Sequence, residues 1–158
     1  MPAGPHKHLR RLPTAWIEPP IYFITTCVAG RAPLLANATA TQILRDQLGA
    51  APARYGWRVG RYVVMPDHLH FFCAPGGDRE PATLSVFMGG VKSWSARGIL
   101  AATGRAPPLW QPEFFDRLLR SDESYQRAAA YVRDNPARAG LVEDAAQWPF
   151  GGEIESLA

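Results

Sequence analysis

The chain has 158 residues, 47% apolar and 20% charged, a balance that supports one domain around one core and excludes a disordered chain. Lys and Arg total 17 against 14 acids, for a net charge of +3. No apolar run reaches the roughly 18 residues of a membrane span, and no secretory pattern is recognisable. Two cysteines, Cys27 and Cys73, make neither a disulfide framework nor a zinc quartet, so a reducing cytoplasm is expected. Only Lys7 and Lys92 among the cations are lysines. Arg forks onto phosphate and stacks on bases, which suits nucleic acid, yet an Arg bias also follows from genome composition. Charge alone leaves the partner open.

Residues 1–20 read as a basic, Pro-rich irregular arm carrying His6 and His8. The β-branched and aromatic run Ile21–Val28 predicts a strand. Asn37 or Thr39 caps a helix that runs through Ile43, Leu44 and Leu48 to about Arg54. Trp57–Met65 and His68–Ala74 are two more strands, and the two-residue turn Pro66-Asp67 makes them a hairpin. A helix begins at Thr83 or Ser85 and passes through Phe87, Val91 and Trp94 to about Leu100. Phe114–Leu119 predicts a fourth strand. Ser121 then caps a helix with Asp122 and Glu123 in its first turn, ending near Asn135 because Pro136 follows. Residues 151–158 read as a short tail. The order strand–helix–hairpin–helix–strand–helix predicts an α+β fold, helices packed on an antiparallel sheet, with residues 21–150 as one domain.

His68 and His70 stand at i and i+2 on a predicted strand, so both imidazoles leave one face while Leu69, Phe71 and Cys73 point into the core. Such a pair can grip one divalent cation, although a polar sheet face would look the same. No HExxH motif, third later histidine or nearby acid completes a hydrolase or oxygenase set. Two His and at most one oxygen ligand leave an open coordination sphere, which suits Mg²⁺ or Mn²⁺ shared with a substrate phosphate. On the last helix, Tyr125, Ala128, Ala129 and Val132 form the core stripe, whereas Tyr131 and Asn135 project together from its flank.

These residues carry a resemblance. Tyr62–Phe72 (YVVMPDHLHFF) is similar to the His-hydrophobic-His signature of the single-tyrosine HUH transposases. Residues 109–150, with an aromatic WQ…F-Asp-Arg segment before a helix ending Tyr-X-X-X-Asn-Pro, resemble the REP-associated branch of that family, and residues 26–35 (TCVAGRAPLL) also fit. The resemblance implies a ferredoxin-like HUH endonuclease core that nicks and rejoins single-stranded DNA at palindromic, hairpin-forming repeats, as a monomer or homodimer. It implies His68 and His70 as metal ligands, Asn135 as the polar metal-side residue and Tyr131 as the nucleophile, through a 5′-phosphotyrosine link. Tyr125, on the core stripe, is the rival nucleophile. Lys92, Arg117, Arg120, Arg127 and Arg133 are candidate DNA contacts, and Trp110, Phe114 and Phe115 candidate stacking partners for bases. Two other classes stay open: a hairpin DNA- or RNA-binding protein that no longer cuts, and a small metal hydrolase acting on another substrate.

Overall fold

A computed structural model of the chain describes residues 16–157. Most of the predicted arm, including His6 and His8, lies outside the described residues. Five strands, β1 (Trp16–Cys27), β2 (Trp57–Met65), β3 (His68–Pro75), β4 (Phe115–Ser121) and β5 (Gly151–Glu153), form one antiparallel sheet in the order β4-β1-β3-β2-β5. The first four reproduce the ferredoxin-like order, with β3 lying between the parallel strands β1 and β2. The helices are α1 (Ala38–Gly49), α2 (Ala51–Tyr55), α3 (Leu84–Thr103), α4 (Asp122–Arg133) and the single turn α5 (Asn135–Arg138).

Local chemistry sets most of these boundaries. Asn37 accepts a hydrogen bond from the Ala40 N–H, Thr83 from Val86 and Ser121 from Ser124, so three helices start on side-chain caps. The helix expected to run to Arg54 breaks after Gly49 and resumes as α2, which ends at Gly56 with φ +72°. Gly60 marks a bulge in β2. Val59 pairs with Cys73 and Tyr62 with Phe71, so Gly60 and Arg61 on β2 answer Phe72 alone on β3, and both Val59 and Tyr62 are turned into the same core.

Three further expectations differ from the structure. Strand β1 begins at Trp16, inside the expected arm; Pro19 and Pro20 fall where the register with β4 shifts between Trp16 and Ile21, a place that tolerates missing N–H groups. The expected tail supplies β5, which extends the sheet beyond β2. Trp94 does not continue the core stripe of α3; it is 47% exposed, and Ser95 is buried in its place, accepting from the Trp110 indole N–H at 3.0 Å.

The two faces of the sheet are covered differently. On one, α1 and α3 enclose the main core, where Trp57 stacks on Phe87, Tyr22 packs edge-on to Trp57 and Phe71 edge-on to Phe87. On the other, α4 buries Tyr125, Ala128 and Val132 against Ile21, Phe72, Ala74 and Leu119, and Leu157 packs beside them. Among the described residues that second face is only partly covered, and it carries both histidines.

Candidate active site

The hairpin between β2 and β3 fixes the first part of the site. Period-two alternation puts His68 and His70 on the α4 side of β3, with ring centroids 4.7 Å apart and planes at 81°. Each ring is held through Nδ1. Asp67, in the turn, lies 2.8 Å from His68 Nδ1 and accepts from Arg31 Nε at 2.9 Å. Burial pushes the Asp67 carboxyl upward, but hydrogen bonds from Arg31 and His68 outweigh this and hold it below the usual carboxylate range. An ionised carboxylate can only accept, so His68 Nδ1 donates, and in the neutral ring the lone pair is then on Nε2. His70 Nδ1 lies 2.8 Å from the hydroxyl of Thr25, its cross-strand neighbour on β1.

His70 is 9% exposed. Burial, then the neighbouring charges of His68 and Arg138, lower its pKa to about 3, so the ring is neutral at physiological pH. Two imidazoles on one face, with their Nδ1 atoms committed to Asp67 and Thr25, fit the nitrogen ligands of a divalent cation. Among the described residues no three His, Cys, Asp or Glu side chains converge, so oxygen ligands from an amide, water or phosphate would complete such a set.

The second part comes from α4. Its packed stripe of Tyr125, Ala128 and Val132 leaves Tyr131 on the flank, 58% exposed. The helix ends at Arg133, and Asn135 starts α5 with the buried Pro136 behind it. Arg138, at the end of α5, covers the Tyr131 ring, its guanidinium carbon 3.7 Å from the ring centroid. The same guanidinium donates to Asn135 Oδ1 at 3.4 Å. Tyr131, Asn135 and Arg138 are therefore one contact group. Two links join it to the histidines: the charge of Arg138 reaches His70, and Phe23, 5.3 Å from the His70 ring, lines one cleft with Tyr131, Arg117, Arg127 and Ala128. Tyr125, by contrast, is 5% exposed, packs edge-on to Phe72, and burial raises its pKa.

The five candidate phosphate contacts are dispersed. Arg117 pairs with Phe23 across β1 and β4 and faces the cleft, as does Arg127, which also lies 3.7 Å from Glu123. Arg120 follows the buried Leu119 on β4, and alternation sends it to the opposite face. Arg133 lies 3.3 Å from Asp134 and lines a different cleft with Arg61 and Trp148. Lys92 is turned inward to the carbonyls of Gln111 (2.7 Å) and Pro112 (3.1 Å) and is a tether between α3 and the loop before β4. Of the three aromatics, Trp110 is buried and Phe114 packs on the main core, whereas Phe115 is 66% exposed on the same cross-strand row as Thr25 and His70.

Four participants escaped the reading of the sequence. Asp67 directly precedes His68, and Arg138 stands seven residues after Tyr131, two helical turns on; both signals were present. Thr25 and Arg31 reach the histidines through pairing across the chain, which no local pattern announces.

No family model matches the chain. In sequence it is similar to a REP-associated tyrosine transposase of Escherichia coli K12, 24% identical over 143 residues that cover 85% of this chain and 77% of the relative. In structure it is similar to a REP-associated tyrosine transposase bound to a REP hairpin, with a TM-score of 0.66, 26% identity, and coverage of 87% of this chain and 78% of the other. A Deinococcus radiodurans protein assigned as a transposase shares the fold, with a TM-score of 0.52, 19% identity, and coverage of 79% and 93%. The resemblance carried by three separated motifs thus extends along most of the chain.

Proposed function

We propose that this protein is a transposase-like endonuclease and strand transferase that acts on single-stranded DNA at hairpin-forming repeats. One observation carries the reading: an exposed phenol, Tyr131, lines a cleft with Phe23, which packs on His70, the inner of two imidazoles oriented through Nδ1 on one sheet face. The similarity to a transposase bound to a REP hairpin supports hairpin DNA as the partner.

In this reading Tyr131 Oη attacks the scissile phosphorus and the bond to the 3′ oxygen breaks, leaving a 5′-phosphotyrosine and a 3′-OH. The phenol loses its proton as the departing oxygen gains one. Attack by another 3′-OH on the phosphotyrosine reverses these steps and rejoins the strand. His68 and His70, with Asn135 as the polar metal-side residue, would hold Mg²⁺ or Mn²⁺, which would supply charge neutralisation at the phosphate. Arg138 keeps the phenol ring in place, and Arg117 and Arg127 flank the path of the strand.

Hairpin oligonucleotides labelled at either end, incubated with the protein and Mn²⁺, test this. A covalent adduct with only one labelled end, abolished by chelation, is expected. Hairpin binding that survives chelation, with no cleavage under Mg²⁺ or Mn²⁺, would instead assign the protein to the non-cleaving hairpin binders.

A further inference from the structure

The segment from Val28 to Leu35 lies across the β2–β3 turn and is tied to it three times. The Val28 N–H donates to the Asp67 carbonyl at 2.9 Å, and the Leu35 N–H to the Pro66 carbonyl at 3.0 Å. Between them, Arg31 Nε donates to Asp67 Oδ2 at 2.9 Å. Arg31 holds this position with φ +56°, a left-handed conformation that a residue with a Cβ adopts at a cost, directly after Gly30 at φ +68°. Asp67 spends its other oxygen, Oδ1, on His68 Nδ1 at 2.8 Å.

Resting on the metal reading of His68 given above, we infer that Arg31 and Asp67 are positioning residues for His68, acting as a relay that fixes which nitrogen it presents. Without a partner, the His68 ring can turn and carry its proton on either nitrogen. With Asp67 accepting from Nδ1, the ring orientation is set and the Nε2 lone pair is directed outward. Asp67 has its own freedom to turn, and Arg31 removes it by engaging Oδ2. A surface ion pair by itself contributes little. This one sits on two backbone hydrogen bonds that already fix the turn, so its effect falls on side-chain orientation. The relay gives residues 26–35 a role: they are the clamp on the metal-side hairpin.

The test uses the full chain without DNA and two readouts. Nitrogen-15 NMR of the imidazoles reports the His68 tautomer, and Mn²⁺ titration followed by electron paramagnetic resonance reports the site. Wild type is expected to hold the proton on Nδ1. Asp67→Ala is expected to shift His68 toward the Nε2–H form and to weaken Mn²⁺ by about 10- to 100-fold. Arg31→Ala and Arg31→Gly both lose the guanidinium, and Gly also relaxes the left-handed backbone. Both are expected to weaken Mn²⁺ and to leave the thermal midpoint within a few degrees, which separates the relay from a folding defect. An unchanged tautomer in Asp67→Ala, or wild-type Mn²⁺ affinity in both Arg31 variants, overturns the inference. If wild type takes up no Mn²⁺, the metal reading itself fails, and the tautomer result alone then decides whether Asp67 orients His68.

Discussion

Arg138 lies over the ring of Tyr131, its guanidinium carbon 3.7 Å from the ring centroid, while the same group reaches Asn135 Oδ1. A guanidinium stacked on an exposed ring contributes about 0.5–1 kcal/mol. If that contact positions the nucleophile, Arg138→Ala slows covalent adduct formation by about two- to fivefold in single-turnover assays. Arg138→Lys, which keeps the charge but not the planar stack, recovers part of the rate. Hairpin affinity measured by anisotropy changes less than the rate does; equal losses in both would show that Arg138 serves only to bind DNA.

Arg117 and Arg127 face the Tyr131 cleft, and Arg120 faces away from it. Replacing either cleft residue with Ala weakens single-strand binding and flattens the salt dependence, by about 0.7 in the log–log slope per lost phosphate contact. Arg120→Ala leaves both unchanged. A uniform loss across all three variants would mean that DNA wraps both faces of the sheet.

The difference between those arginines shows what a sequence carries and what it does not. Alternation along β3 placed His68 and His70 on one face, and the Ser121 cap with the stripe Tyr125, Ala128, Val132 placed Tyr131 on a free flank. Those are local signals, and the structure agrees with each. The same alternation separates Arg117 from Arg120 once β4 is known to bury Leu119 toward α4, a fact of tertiary pairing. Lys92 reads as a candidate DNA contact in sequence because nothing nearby reveals the two carbonyls, 19 and 20 residues on, that accept from it. Gly151 and Gly152 have no strand propensity of their own, and β5 exists because β2 offers an open edge.

His70 makes stability depend on pH in the metal-free protein. Its folded pKa is about 3, against an ordinary 6.5, so between those values the unfolded chain binds a proton that the folded chain refuses. Stability therefore rises with pH across that window, by up to about 1.4 kcal/mol per pH unit, and is lost as pH falls from 6.5 toward 3. Denaturant unfolding at pH 7 and pH 4.5 checks this. His70→Phe removes much of the difference; an identical pH dependence in that variant would place its origin elsewhere.

The residue at which DNA becomes attached to the protein decides between Tyr131 and every other nucleophile. After reaction of a hairpin oligonucleotide with the protein and Mn²⁺, nuclease trimming and peptide mass spectrometry locate the residual nucleotide. The prediction is a single phosphotyrosine at Tyr131, absent from Tyr131→Phe, which still binds the hairpin. An adduct mapped to Tyr125 or any other residue, or one that persists undiminished in Tyr131→Phe, would contradict it.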